Sequence, residues 1–136
     1  MKLSVIGLGH IGSVAAAALA TSGHNVLGID IDAERVDAYR SGPVPIYEPG
    51  LAELMNEALK RRKLRFLHTS EVSESLGEAI IVATGTPLGE SGAADLSQVW
   101  SALSWIKEMH RDVGVVVMKS TMPPGTGVRL SETLLR

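Results

Sequence analysis

Short apolar runs and longer helical segments alternate along the chain. Five runs predict strands that are buried in a sheet, at residues 3–6, 25–29, 64–68, 79–83 and 113–118. Helices are predicted between and after them, over residues 13–20, 33–39, 49–59, 95–110 and from 125 onward. Strands that alternate with helices in this way are typical of a parallel sheet with helices on both faces.

The connections between these strands predict the order of the sheet. Right-handed crossovers give the order 3-2-1-4-5, an α/β fold with a doubly wound parallel Rossmann sheet. The 136 residues suit a single domain, residues 1–136. Because a complete sheet of this kind has six strands, we expect a truncated sheet of about five strands, a piece of a longer protein.

Local signals set the predicted helix boundaries. Gly23 is a plausible left-handed stop for the first helix, and Asp32 can cap the second. Pro49 suits the first turn of the third helix, where its missing N–H costs nothing. Asp95 is predicted to cap the fourth helix, with Gln98 placed to complete a capping box.

A glycine-rich turn joins the first strand to the first helix. Gly7 permits the tight turn, Gly9 lets the backbone approach a phosphate, and Gly12 lets the helix lie close to the strand. The helix then offers unpaired N–H groups and the positive end of its dipole to an anion. This arrangement predicts a dinucleotide site, and we expect His10 and Ile11 within the turn to border the ligand.

A carboxylate follows the second strand at the spacing that this kind of site requires. Asp30 lies about twenty residues beyond the glycine turn, where an acidic side chain can accept hydrogen bonds from a ribose diol. The same charge would repel a 2′-phosphate, so NAD is favoured over NADP. Arg35, one helical turn further on, could cover the adenine or could lie in solvent; Asp30 could also be a surface residue of a turn.

Polar residues also follow the fourth and fifth strands, whose carboxyl ends should meet the same crevice. Backbone and hydroxyl groups there can meet a phosphate, a ribose or the nicotinamide, and the candidates are Thr84, Gly85, Thr86, Pro87, Ser120 and Thr121. For Ser120 and Thr121 the alternative, simple capping of a turn or helix, weighs about equally.

Composition narrows the class of protein. Hydrophobic residues make up 45% and charged residues 21% of the chain, as in ordinary globular proteins, and the net charge is −2. This balance gives no reason to expect nucleic acid or a membrane as a partner. The absence of cysteine from the sequence excludes disulfides and thiolate metal sites; no metal site is expected, and a cytoplasmic location fits.

Five segments, in order and spanning nearly the whole chain, carry a family resemblance. They are residues 7–12, 45–51, 85–87, 92–96 and 119–126. With them the chain resembles the UDP-glucose/GDP-mannose dehydrogenase family. The Tyr-Glu-Pro-Gly-Leu at 47–51 and the Lys-Ser-Thr at 119–121 are more specific than the glycine turn, and they are most similar to the segments of UDP-glucose 6-dehydrogenases.

The resemblance implies an enzyme that oxidises a nucleotide-sugar alcohol twice to a carboxylate, reducing two NAD. UDP-glucose is the expected substrate, with a homodimer as the expected form of the longer enzyme. The resemblance further implies that the glycine turn cradles the pyrophosphate, Asp30 and Arg35 hold the adenosine end, and Thr86 and Pro87 line the cofactor channel. Thr121 matches the catalytic threonine that holds a water, whereas His10 replaces a usual aromatic residue.

One departure from the family concerns the chemistry itself. The family's covalent step needs a cysteine thiolate, and this sequence has no cysteine. The chain is therefore expected to be the N-terminal cofactor domain, inactive by itself, without the central helix and sugar-nucleotide domains. The alternatives are another nucleotide-sugar dehydrogenase acting on GDP-mannose or a UDP-N-acetylhexosamine, a 3-hydroxyacid-type dehydrogenase, or a non-catalytic NAD-binding module.

The truncated sheet implies one more property. Strand 5 would have one unpaired side, and an apolar, β-branched edge tends to recruit another chain. Self-association of the fragment, or a terminal segment folded over that edge, is therefore expected.

Overall fold

Five strands form one parallel sheet in the computed structural model, which describes residues 1–42, 44–90, 92–109 and 114–135. The order β3-β2-β1-β4-β5 confirms the predicted doubly wound topology. The strands are β1 (Lys2–Ile6), β2 (Asn25–Asp30), β3 (Leu64–His68), β4 (Ala79–Val82) and β5 (Val115–Met118). The reversal of strand order lies between β1 and β4, and this is where a ligand crevice is expected in such sheets.

In the described part of the chain, five helices cover the two faces of the sheet. They are α1 (His10–Thr21), α2 (Ala33–Ser41), α3 (Leu51–Lys60), α4 (Ser97–Met109) and α5 (Thr126–Leu135), with a short 3₁₀ turn at Thr69–Glu71 after β3. One core forms between the sheet and α1, α2 and α3. A second core forms on the other face under α4 and α5. The sheet is thus buried from both sides near β1, as its continuous apolar strands require.

The first helix begins earlier than predicted, at His10 instead of residue 13. The carbonyl of Gly9 already accepts a hydrogen bond from Ser13 N–H at 3.0 Å, so Gly12 lies in the first turn of the helix. The pattern missed this turn because glycine has a low helix propensity. A Cβ on Gly12 would collide with the carbonyl of Gly7, which explains why glycine is needed there.

The predicted capping box on α4 is wrong, because a hydrogen bond to a residue of the preceding loop replaces it. The N–H of Asp95 donates to the carbonyl of Pro87 at 2.8 Å, so it has no bond to give to Gln98. The Asp95 carboxylate still accepts the N–H of Ser97 at 2.9 Å, and this bond lowers the pKa of Asp95. The helix starts at Ser97.

Other predicted ends moved by one or two residues. The third helix begins at Leu51 after Gly50, instead of at Pro49, and α5 begins at Thr126. β2 extends to Asp30 and β4 stops at Val82. The predicted start of strand 5 at Val113 and the predicted end of α4 at His110 lie outside the described residues.

Candidate functional site

The carboxyl ends of β1, β2, β4 and β5 open into one cleft of about 980 Å³ at the reversal of strand order. Loops after these strands form one wall, and α4 contributes the other. Twelve of the thirteen residues predicted to bind the cofactor border it: Gly7, Gly9, His10, Ile11, Asp30, Arg35, Thr84, Gly85, Thr86, Pro87, Ser120 and Thr121. The fold therefore places residues that the sequence analysis selected from four separate connections around a single cleft.

Gly12 is the predicted residue that does not border the cleft. It packs inside α1 against Gly7, whose own backbone has φ of +91° and whose N–H donates to Ile29 O at 2.9 Å. The close contact between Gly12 and Gly7 therefore makes the turn between β1 and α1 tight. Gly12 contributes to the site by allowing α1 to approach β1.

The start of α1 has the features of an anion site. Its N-cap, Gly9, provides no side-chain cap, and the first turn carries no acidic residue. No heavy atom lies within 4 Å of the position where a Cβ on Gly9 would stand. The first N–H groups of a helix have no partner within it, and here Gly9, His10 and Ile11 at the start of α1 border the cleft. Together with the positive helix dipole, this is the arrangement that a pyrophosphate requires.

Asp30 is held at the end of β2 by contacts that the sequence did not predict. Its side chain is only 4% exposed and accepts hydrogen bonds from Leu8 N–H at 2.6 Å and from Asp32 N–H at 2.9 Å. The carboxylate therefore fixes the glycine turn as well as facing the cleft. The sequence could not show the contact with Leu8, because the two residues are 22 positions apart.

Arg35 pairs with carboxylates on both sides. Its guanidinium lies 3.1 Å from Asp30 Oδ2 and 3.3 Å from Asp32 Oδ2. Two carboxylates against one guanidinium leave this corner of the cleft net negative, which disfavours a second phosphate on the ribose. Asp32 also caps α2, because its carboxylate accepts a hydrogen bond from the N–H of Arg35 at 3.1 Å. The start of α2 therefore fixes the positions of both Asp32 and Arg35.

The loops after β4 and β5 are joined to each other. The Ser120 hydroxyl donates to Thr84 O at 2.7 Å, so Ser120 connects the loop after β5 to the loop after β4. Among the described residues, the Thr121 hydroxyl has no hydrogen-bond partner, and it borders the cleft. A Cβ on Gly85 would lie 3.3 Å from Gln98 Oε1, so α4 closes tightly over this loop.

Further residues border the cleft that the sequence reasoning did not single out. They are Ile6, Ile31, Thr69, Ala83, Ser97, Ser101, Ala102, Trp105 and Lys119, together with Asp32 and Gln98, which had been considered only as capping residues. Ser97, Ser101 and Trp105 follow one another at a spacing of four, so one face of α4 could have been recognised as a cleft wall. The described part of the chain contains no cluster of three or more His, Cys, Asp or Glu side chains that could hold a metal ion. It also contains no helix long and apolar enough to cross a membrane.

Comparison with known proteins agrees with this geometry. A model of the NAD binding domain of the UDP-glucose/GDP-mannose dehydrogenase family matches residues 1–136. The chain belongs to this family. The domain that this family shares binds NAD, so NAD is the cofactor of this domain.

Three relatives illustrate the range of this dehydrogenase family. A UDP-glucose 6-dehydrogenase of Pseudomonas aeruginosa is 41% identical over 136 residues, which cover 98% of this chain and 30% of the relative. The structure of a UDP-D-ManNAc dehydrogenase from Pyrococcus horikoshii matches with a TM-score of 0.89 at 32% identity, over 98% of this chain and 32% of its own. The structure of a ternary complex of GDP-mannose dehydrogenase from Pseudomonas aeruginosa also matches with a TM-score of 0.89, at 29% identity. That match covers 99% of this chain and 32% of the dehydrogenase chain. The chain thus spans about a third of the length of these relatives.

Proposed function

We propose that this chain is the NAD-holding part of a UDP-glucose 6-dehydrogenase, which oxidises UDP-glucose to UDP-glucuronate with two NAD. The observation that carries the cofactor half is the uncapped, acid-free start of α1 facing open space at Gly9. Two observations support UDP-glucose as the substrate. One is the 41% identity to a UDP-glucose 6-dehydrogenase, and the other is the Tyr-Glu-Pro-Gly-Leu segment at residues 47–51. GDP-mannose and UDP-N-acetylhexosamines are the competing substrates, and kcat/KM for each in the longer protein decides among them.

The residues of the cleft then take distinct roles. The first-turn N–H groups of α1 bind the pyrophosphate, and Asp30 accepts the ribose hydroxyls. Bound NAD supplies the hydride acceptor. Thr86 and Pro87 line the channel toward the reacting end, and the Thr121 hydroxyl, which has no partner in the described structure, holds a water for the second oxidation. The covalent step needs a thiolate from outside this chain, since the chain has no cysteine.

The choice between NAD and NADP tests the cofactor half directly. Calorimetric titration of the chain should show NADH binding at least about tenfold more tightly than NADPH, because a 2′-phosphate would meet the net negative corner formed by Asp30, Asp32 and Arg35. Equal or tighter binding of NADPH would contradict the assignment of Asp30.

The variant Asp32→Asn sharpens this test. Asparagine caps a helix as well as aspartate, so α2 should be preserved while one negative charge is removed. We expect NADPH to gain several-fold in affinity and NADH to change by less than about twofold. An unchanged ratio would show that the charge of this corner does not decide the cofactor.

A further inference from the structure

One residue of the glycine turn, Leu8, is fixed by two buried side chains. The side chain of Leu8 is fully buried, and both of its backbone polar groups are bonded to side chains. Its N–H donates to Asp30 at 2.6 Å, and its carbonyl accepts a hydrogen bond from the Tyr39 hydroxyl at 3.1 Å. The peptide groups on both sides of the Leu8 Cα are therefore fixed in orientation.

Tyr39 is itself rigidly placed. It lies on α2, is 1% exposed, and its ring stacks on that of Phe66 from β3 with centroids 5.0 Å apart. Phe66 in turn lies over Gly28 of β2, where a Cβ would stand 2.8 Å from the ring. Burial raises the pKa of Tyr39 further above its ordinary value, which already lies well above neutral pH, so the hydroxyl is protonated and can donate.

The geometry of the peptide bond transmits this placement to the cleft. The Leu8–Gly9 peptide is trans, so the Leu8 carbonyl and the Gly9 N–H point in opposite directions. The carbonyl is turned toward Tyr39 and the core, and the N–H therefore points away from them. Gly9 borders the cleft, and its N–H has no partner among the residues that the structure describes.

We propose that Tyr39 is a positioning residue for the cofactor: its hydroxyl locks the Leu8–Gly9 peptide so that the Gly9 N–H is presented to the pyrophosphate of NAD. This inference rests on the proposed use of the glycine turn, and it adds a residue from α2 that touches no ligand. Without the hydroxyl, the peptide could rotate and the N–H would be presented in only part of the ensemble.

The variant Tyr39→Phe tests the inference, because it keeps the stacked ring and removes only the hydroxyl. Binding of NAD, ADP and adenosine is followed by NMR titration of the ¹⁵N-labelled chain, with the Gly9 amide as a local reporter. We expect the Kd values for NAD and ADP to rise about five- to tenfold, as the loss of one hydrogen bond allows, and the Kd for adenosine to stay within about twofold.

A buried hydroxyl elsewhere provides the matched control. Ser4 of β1 is fully buried, donates to Leu76 O at 2.7 Å and does not border the cleft. Ser4→Ala should lower the melting temperature as Tyr39→Phe does, with unchanged Kd values for all three ligands. Dispersed spectra establish that both variants fold.

The outcomes separate the inference from the proposed function. Equal weakening of ADP and adenosine in Tyr39→Phe would make Tyr39 a structural residue only and overturn the inference. Unchanged ADP binding in the folded variant would overturn it as well. Failure of the unaltered chain to bind NAD or ADP would overturn the proposed function, and the inference with it.

Discussion

Gly9 and Gly12 lie three residues apart in the same turn, but their surroundings are opposite. A methyl group on Gly12 would collide with the Gly7 carbonyl, whereas one on Gly9 would meet nothing within 4 Å. The two glycines therefore serve different purposes, packing in one case and ligand approach in the other. The motif assigned these two roles to Gly9 and Gly12, and the surroundings of each position agree with them.

Alanine substitutions at these two positions should separate stability from binding. Gly12→Ala is expected to lower the free energy of unfolding by about 3 kcal/mol, because backbone atoms must move to admit the methyl group. Gly9→Ala should cost about 1 kcal/mol or less, since the position has φ of −71° and lies at an N-cap, yet it should weaken NAD binding at least about tenfold by filling the space at the helix start.

Urea unfolding and calorimetric titration of both variants measure the two effects. Similar losses of stability in Gly9→Ala and Gly12→Ala would show that the turn acts as one packed unit. NAD affinity unaffected by Gly9→Ala would place the pyrophosphate away from the start of α1.

The residue types in the sequence were sufficient to predict many of the residues that border the cleft, but they were not sufficient to predict the hydrogen bonds that hold those residues in place. Glycines, an acidic residue at a strand end and hydroxyls after central strands marked eight of the twelve predicted residues that border the cleft, and the other four, His10, Ile11, Arg35 and Pro87, were predicted because they lie beside these in the sequence. The bonds from Asp30 and Tyr39 to Leu8 could not be predicted, since they join positions 22 and 31 residues apart without any local pattern.

At the scale of elements, Glu74 ties two strands to the segment that precedes β4. Its carboxylate accepts hydrogen bonds from Lys2 of β1 at 2.8 Å and from Arg65 of β3 at 2.7 Å. These bonds, first that from Lys2 and then that from Arg65, lower the pKa of Glu74. The bridge therefore connects an edge strand to the centre of the sheet at its amino end.

The lowered pKa of Glu74 predicts an acid-sensitive contribution to stability. The carboxyl binds protons less readily when folded than when unfolded, so its contribution is complete above the unfolded pKa and is lost as the pH falls through the folded pKa. Glu74→Gln should cost less than about 1 kcal/mol at neutral pH, because Glu74 is about one-third exposed, both of its partners are more exposed, and solvent screens the two ion pairs. The difference from the unaltered chain should vanish at low pH.

Thermal unfolding between pH 7 and pH 2 checks this prediction, with Glu132→Gln on the exposed face of α5 as the control. A Glu74→Gln difference that persists at low pH would show that the amide disturbs packing, independently of charge.

The existence and order of the elements followed from the sequence, whereas several of their ends did not. Apolar runs that are buried from both sides predict strands whatever their partners, and right-handed crossovers then leave one order. Helix ends depend on single hydrogen bonds. The N–H of Asp95 donates to the carbonyl of Pro87, in the loop before the helix, and is therefore not available for the predicted capping box.

At the scale of the whole molecule, the two faces of the sheet are covered unequally at β5. Val116 and Met118 pack into the core under α4 and α5. Val115 and Val117 alternate with them toward the other face, where they are 55% and 43% exposed. Among the described residues, β5 pairs with β4 alone, so its second side also has unpaired backbone groups.

An open edge with exposed β-branched side chains favours association of one copy with another. We therefore expect the chain to show a concentration-dependent increase in mass by light scattering.

The variant Val117→Lys tests this expectation. It should shift the association equilibrium toward the monomer, because a charge on an edge strand opposes pairing. Val128→Lys is the matched control: Val128 is 64% exposed on α5 and is not part of the strand, so its replacement should leave edge pairing unchanged. A monodisperse monomer at high concentration, with rapid amide exchange along residues 115–117, would show that the edge stays open without recruiting another chain; it would contradict the pairing while leaving the fold as described.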